Sequence, residues 1–222
     1  MEADVTGHSN ELPTVGLGGS AGSISALQTF FKAMPADSGM AFVVILHLSP
    51  EHESTLAEVL QHSTSMPVRQ VNETEKVEAN HVYVIPPAKA LTSMDGQLRL
   101  SRLQTEQGRR AAIDLFFRTL ADTHGPRASA IVLSGADSDG ALGVKRIKER
   151  GGLTIAQDPD EALHREMPSA AIATGMSADR AKSREAGYRH HLVKPYGIEQ
   201  LPNVLREAAQ ERAARLAAGA MA

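Results

Sequence analysis

The 222-residue sequence has no cysteine, only 4% aromatic residues and no apolar run near the length of a membrane span. The absence of cysteine excludes disulfides, thiolate nucleophiles and zinc–thiolate sites. A spanning helix needs about 20 consecutive apolar residues, so we expect no membrane insertion. The formal net charge of −3 gives no basic excess for nucleic acid. The acidic, polar stretch MEADVTGHSNELP is not typical of a signal peptide, and we expect a cytoplasmic globular protein.

Apolar segments of strand length and of helix length alternate along the chain. TVGL, AFVVILHL and ASAIVLSG are continuous apolar runs, typical of strands covered on both faces. SISALQTFFKAM, AAIDLFFRTLADTHG and DGALGVKRIKERGG have the apolar spacing of helices. In ALTSMDGQLRL, the pair Asp95-Gly96 separates two alternating segments, which is typical of a β-hairpin. We therefore predict an α/β fold with a doubly wound, mostly parallel sheet, helices on both faces and a β-hairpin insertion.

Three residues of types that often take part in catalysis follow three of the predicted strands. Ser20 follows TVGL, His47 lies at the end of AFVVILH, and Asp139 comes shortly after AIVLSG. Ligands of parallel α/β sheets bind outside the carboxyl ends of the strands. We therefore expect these residues to share one edge of the sheet.

The glycine-rich stretch VGLGGSAGS (15–23) has two interpretations. Its glycine spacing resembles a dinucleotide-binding turn, which would hold a pyrophosphate at a helix N-terminus. That interpretation requires an acidic residue at the end of the second strand, where the sequence is His47-Leu48. Alternatively, a tight strand-to-helix turn exposes Ser20 as a nucleophile, and the N–H of Ala21 is one donor to a developing oxyanion.

Ser20, His47 and Asp139 are the residue types of a serine-hydrolase triad. A serine hydroxyl needs a base, an imidazole titrates near neutral pH, and a carboxylate fixes the imidazole tautomer. Taken singly, each residue also has a structural interpretation. Ser20 and Asp139 suit helix N-caps, and His47 suits a buried core histidine. From spacing alone, both interpretations stay open.

Six segments resemble the catalytic domain of chemotaxis-type protein-glutamate methylesterases, the CheB family. They follow in the family's order over about residues 13–175, and they are closest to the form at the front of methylesterase–methyltransferase fusions. The segments are VGLGGSAGSISAL, VILHLSP, VYVIPP, IDLFFRTLA, VLSGADSDGALG and TIAQD…MPSAAIATG.

This resemblance implies hydrolysis of glutamate γ-methyl esters on the cytoplasmic helices of methylated chemoreceptors. Methanol is released, and many members also deamidate glutamines. The resemblance implies that Ser20 is the nucleophile, His47 the general base and acid, and Asp139 the orienting carboxylate. It implies no cofactor and no metal. The adjacent pair His190-His191 lacks a third ligand nearby, so we predict no metal site there.

Two positions depart from the family's pattern. Asp137 stands where relatives commonly have a small residue, and Ala111 replaces a proline that often precedes IDLFF. Inside the cleft, the charge of Asp137 would raise the basicity of His47 and oppose an oxyanion. We expect Asp137 to be solvated on its loop instead.

After Gly175, the chain resembles the end of a response-regulator receiver domain. HHLVK is similar to the last strand of that domain, and Lys194-Pro195 matches its lysine–proline pair. The receiver's acidic pair and phospho-accepting aspartate are missing, so we expect a truncated or fused gene product. The predicted segments are a disordered lead-in (1–12), a methylesterase catalytic domain (13–175), a receiver-like fragment (176–208) and a helical tail (209–222). If HHLVK pairs at the sheet edge the core closes, and otherwise an exposed edge weakens the fold.

Three functional hypotheses follow. The first is a methylesterase whose partners are methylated receptor helices and signalling-kinase components, with no nucleic acid. The second is a catalytically weak or silent docking module for receptor or kinase, left by gene truncation. The third is a hydrolase of small esters on the same scaffold.

Overall fold

The computed structural model describes residues 12–20, 22–47, 55–102, 111–176 and 195–219. Two sheets are present in these residues. Seven strands form a parallel sheet in the order β10-β9-β8-β1-β2-β5-β3, and three form a small antiparallel sheet in the order β4-β7-β6. The strands are β1 (Thr14–Gly19), β2 (Ala41–Leu46), β3 (Val68–Gln70), β4 (Glu75–Lys76), β5 (Val82–Val84), β6 (Lys89–Met94), β7 (Gln97–Arg102), β8 (Ala128–Val132), β9 (Leu153–Gln157) and β10 (Pro195–Tyr196).

Helices cover both faces of the large sheet, and the predicted α/β class is confirmed. Within β2, Val43 and Ile45 face one apolar cluster, while Phe42 and Val44 face the other. The first cluster is covered by α3, α4 and α5, and the second by α1, α2 and α6. The helices are α1 (Ser23–Ala33), α2 (Leu56–Gln61), α3 (Ala112–His124), α4 (Ala141–Glu149), α5 (Glu166–Met176) and α6 (Leu201–Gly219).

The predicted hairpin is formed by β6 and β7. Asp95 and Gly96 at its tip have φ angles of 51° and 69°, as a type I′ turn requires at both central positions. The apolar side chains of Leu91 and Leu98 are buried in the cluster under α3. The strand β4, which pairs with β7, was not predicted because two residues carry no periodic signal.

The C-terminal segment packs onto the same sheet as the rest of the chain. Pro195–Tyr196 pairs in parallel with Ala156–Gln157, which extends the sheet by one short strand. In α6, Leu201 and Leu205 are buried in the cluster under α1. The predicted strand HHLVK (190–194) lies outside the described residues.

Among the described residues, none of the helices is both long enough and apolar enough to cross a bilayer.

Candidate active site

Ser20 lies in the short connection between β1 and α1. Its backbone N–H donates to the carbonyl of Ser134, beyond the end of β8, at 2.9 Å. Its carbonyl accepts a hydrogen bond from the hydroxyl of Ser23, the first residue of α1, at 2.7 Å. Both bonds fix the backbone of Ser20 at the carboxyl end of the sheet, just before a helix N-terminus. The predicted oxyanion donor, Ala21, lies outside the described residues.

Packing and backbone conformation account for the glycines of this stretch. A Cβ on Gly16 would lie 2.7 Å from Phe117, and a Cβ on Gly18 would lie 2.5 Å from Ile113, so both glycines let α3 approach β1. Gly22 has a φ of 79°, in the left-handed region that favours glycine. The glycines thus serve close helix–strand contact and the turn itself.

His47 follows β2 directly beside Ser20. Gly19 and Leu46 are register partners in the parallel pairing of β1 and β2, so Ser20 and His47 are the next residues on adjacent strands. The N–H of His47 donates to the carbonyl of Gly19 at 3.3 Å. Adjacent strands are about 4.8 Å apart, so the register brings the two backbones to neighbouring positions.

A buried carboxylate holds the imidazole of His47. Nε2 of His47 lies 2.8 Å from Oδ2 of Asp139, and the two side chains are only 9% and 3% exposed. The carboxylate of Asp139 also accepts three backbone N–H groups, from Ile113, Asp114 and Gly140, at 2.8–3.0 Å. Two of these donors belong to the start of α3, so that helix fixes the direction of the carboxylate.

Asp137 also contacts the imidazole, and our expectation that it is only solvated on the loop is wrong. Its Oδ2 lies 3.0 Å from Nδ1 of His47, while its side chain remains 48% exposed. Its Oδ1 accepts the N–H of Asp139 at 2.9 Å, and this bond turns the carboxylate toward the cleft. The sequence raised the possibility that Asp137 lies in the cleft beside His47. It could not show that this is the case, because the geometry of the turn decides where the side chain lies.

The charges around His47 favour its protonated form. Burial alone would lower the pKa of His47, but the hydrogen bonds and charges of Asp137 and Asp139 outweigh burial and raise the pKa from 6.5 to about 9. Burial raises the pKa of Asp137, but its contact with His47 more than offsets this and lowers it overall.

A third carboxylate, Asp114, supports the site from behind, and sequence reasoning missed it. Its Oδ1 accepts the N–H of Gly143 in α4 at 2.7 Å, which links the starts of α3 and α4. Burial, with the charge of Asp139 as an additional cause, raises the pKa of Asp114 to about 6. Its place in IDLFF, within a helix's first turn, is the sequence signal that could have found it.

The described part of the chain contains no group of three or more metal-ligating side chains placed to hold an ion. His190-His191 lies outside that part.

A histidine held by a buried carboxylate, beside a serine in a tight turn before a helix, is typical of serine hydrolases. The family model described as CheB methylesterase matches residues 15–186, which runs past the predicted boundary at Gly175. The chain therefore belongs to the CheB methylesterase family, whose members are carboxylic ester hydrolases.

Individual relatives agree with this assignment. A Leptospira interrogans protein, provisionally named protein-glutamate methylesterase/protein-glutamine glutaminase, is 32% identical over 157 residues, covering 70% of this chain and 81% of the relative. Protein-glutamate methylesterase/protein-glutamine glutaminase 3 of Burkholderia orbicola is 35% identical over 165 residues. That match covers 74% of this chain but only 49% of the Burkholderia protein.

A solved structure has the same fold. The crystal structure of the Thermotoga maritima CheB methylesterase catalytic domain aligns with a TM-score of 0.74 at 23% identity. The alignment covers 89% of this chain and 98% of that one.

Proposed function

We propose that this chain hydrolyses the γ-methyl esters of glutamate side chains on chemoreceptor cytoplasmic helices, with Ser20, His47 and Asp139 as its catalytic triad. The observation that carries the proposal is the 2.8 Å contact between His47 and the buried Asp139, at the strand end next to Ser20. The names of the relatives support the substrate class. Action on cytoplasmic receptor helices, in the cytoplasm, is part of the same proposal.

The proposed reaction has two halves. The hydroxyl of Ser20 attacks the ester carbonyl while Nδ1 of His47 accepts its proton, and His47 then protonates the departing methoxide to release methanol. Water next attacks the acyl-enzyme with His47 again as base, which regenerates Ser20 and leaves a glutamate carboxylate. The N-terminus of α1, three residues after Ser20, places partial positive charge beside the developing oxyanion.

The same chemistry extends to glutamine side chains, which two of the relatives' names include. In that reaction, the leaving group takes its proton from His47 and departs as ammonia. Nε2 of His47 stays on Asp139 throughout, and this contact stabilises the imidazolium that forms in each half-reaction.

The test is methanol release from a methylated receptor fragment by the purified full chain. We expect the wild type to release methanol and Ser20→Ala to lose at least about 1,000-fold in rate. Ser101→Ala, at an exposed position at the end of the hairpin, is the matched control and should retain full activity. Methanol release by Ser20→Ala at the wild-type rate would exclude this mechanism.

The second contact of His47, with Asp137, favours one further candidate, the catalytically weak docking module. A docking module would bind the receptor fragment yet release no methanol. It would also leave Ser20 unlabelled by a fluorophosphonate. Labelling of Ser20, checked by peptide mass spectrometry, therefore separates the two functions.

A further inference from the structure

Both ring nitrogens of His47 are held by carboxylates from one short stretch of chain. Asp139 contacts Nε2 at 2.8 Å and Asp137 contacts Nδ1 at 3.0 Å. An ionised carboxylate only accepts hydrogen bonds, so both contacts are hydrogen bonds only when both nitrogens carry a proton. This geometry fits an imidazolium held between two carboxylates.

An imidazolium held in this way cannot act as a base toward Ser20. Each ring nitrogen directs one hydrogen or one lone pair in the ring plane, and Asp139 occupies the position at Nε2. Nδ1 is thus the nitrogen left for Ser20, and Asp137 occupies that position too. In the proposed reaction, Ser20 therefore needs the nitrogen that Asp137 occupies.

The two carboxylates differ in how firmly they are held. Asp139 is buried and accepts three backbone N–H groups, so its release would leave buried donors unpaired. Asp137 is half exposed, and its Oδ2 can exchange His47 for water while Oδ1 keeps the N–H of Asp139. Of the two contacts of His47, the one with Asp137 is therefore expected to break first.

We propose that Asp137 is a positioning residue that holds His47 in a resting state, and that Ser20 becomes activated only when Asp137 turns from Nδ1 to solvent. This inference rests on the proposed function, because it uses the same serine and base.

The charged groups that face His47 come from two directions. Asp137 and Asp139 approach from the loop between β8 and α4, while Asp114 of α3 lies behind Asp139. With a pKa of about 9, His47 is mostly protonated at pH 7. Each unit by which this pKa falls raises the neutral fraction at pH 7 by roughly tenfold, and the weaker base offsets part of that gain.

Asp137→Asn is the sharpest variant. The amide oxygen can still accept the N–H of Asp139, so the loop keeps its hydrogen bond while the negative charge at Nδ1 is removed. Asp137→Gly removes both the charge and that bond. Ser138→Ala is the matched control, because Ser138 is an exposed neighbour in the same loop.

The first measurement is an NMR titration of the His47 ring, assigned by comparison with His47→Gln. We expect the midpoint of the titration in Asp137→Asn to lie at least one pH unit below that of the wild type and of Ser138→Ala. An unchanged midpoint would contradict the inference that Asp137 holds His47 as an imidazolium. This arm does not depend on turnover.

The second measurement is the reactivity of Ser20 from pH 5.5 to 9.5. It is followed as the rate of acylation by p-nitrophenyl acetate and as the rate of labelling by a fluorophosphonate. We expect Asp137→Gly, which leaves Nδ1 without a partner from position 137, to react about tenfold faster than the wild type at pH 7, with the acid limb shifted toward lower pH by at least one unit. Asp137→Asn should react more slowly than Asp137→Gly, because its amide NH2 can still donate to the unprotonated Nδ1.

If Ser20 is labelled in the wild type, an equal or slower reaction of a folded Asp137→Gly would overturn the inference. If the NMR titration shows a freed imidazole but Ser20 reacts in neither the wild type nor any variant, the proposed function is contradicted instead.

Discussion

His47 and Asp139, which are 92 residues apart in the chain, meet through a 2.8 Å contact between Nε2 and Oδ2. Oδ2 also accepts the N–H of Ile113, while Oδ1 accepts those of Asp114 and Gly140. The carboxylate is therefore fixed by backbone groups of two helices before it orients the ring. This arrangement makes Asp139 sensitive even to an isosteric change.

Asp139→Asn is the prediction that follows directly. With the amide NH2 of Asn in the place of Oδ2, the side chain cannot accept the Nε2–H of His47 or the N–H of Ile113. The tautomer of the ring is then no longer fixed, and one buried donor is left unpaired. We expect methanol release to fall by about 10,000-fold. Asp160→Asn, at a position whose side chain is 86% exposed, should leave the rate unchanged. An Asp139→Asn enzyme within tenfold of wild type would show that Asp139 does not orient the base.

Much of this site was predictable because strand ends are predictable. The continuous apolar runs of β1, β2 and β8 specify buried parallel strands, and Ser20 and His47 follow two of them directly. The Asp95-Gly96 turn likewise specified the hairpin, since both residues adopt positive φ.

The contact of Asp137 with His47 was not predictable for a physical reason. Asp137 lies in a loop with no periodic pattern, and the direction of its side chain depends on the hydrogen bond from the N–H of Asp139. The sequence also does not show why positions 16 and 18 are glycines. Their need for space comes from Phe117 and Ile113, about 100 residues away in the sequence.

Gly18→Ala tests the packing that the glycines allow. The new Cβ would lie 2.5 Å from Cγ2 of Ile113 and 3.1 Å from Phe117, so α3 must shift and carry with it a donor to Asp139. We expect a loss of about 1–3 kcal/mol in the free energy of unfolding, together with reduced methanol release.

Gly39→Ala is the control for Gly18→Ala. Gly39 has a φ of 72° and open space around its Cβ position, so alanine there has a backbone cost of about 1–2 kcal/mol without a clash. Its methanol release should stay at the wild-type level. Equal losses of activity in both variants would show that close packing at Gly18 does not support the site.

Leu205→Ala tests whether α6 belongs to the fold. Leu205 is 1% exposed and lies in the apolar cluster under α1, so its truncation removes buried apolar contacts and leaves a cavity. We expect urea unfolding to show a loss of about 2–5 kcal/mol in a single transition. Glu207→Ala, at an exposed position of the same helix, should change the free energy of unfolding by less than about 0.5 kcal/mol. A near-neutral Leu205→Ala would show that the C-terminal helix contributes little to the core.

The last prediction concerns stability above neutral pH. The pKa of His47 is about 9 in the folded chain, because Asp137 and Asp139 favour its charge, and near 6.5 in the unfolded chain. Below pH 6.5 both states hold the proton, and the stabilisation by the two carboxylates is fully present. As the pH rises from 6.5 through 9, the unfolded state has already lost the proton and this stabilisation disappears.

We therefore expect the free energy of unfolding to fall by up to about 3 kcal/mol between pH 6.5 and 9.5, measured by urea titrations at closely spaced pH values. In the folded chain, burial lowers the pKa of His124 to about 4 and raises that of Asp114 to about 6, so both groups titrate below this window. In the unfolded chain His124 loses its proton near pH 6.5, so it adds only a small rise in stability at the lower edge of the window. His47→Gln removes the titrating group and should flatten the decline. Asp137→Asn should retain only part of it, because one of the two anions remains. A wild-type stability that is constant or rises across this range would show that His47 is not stabilised as an imidazolium in the folded chain.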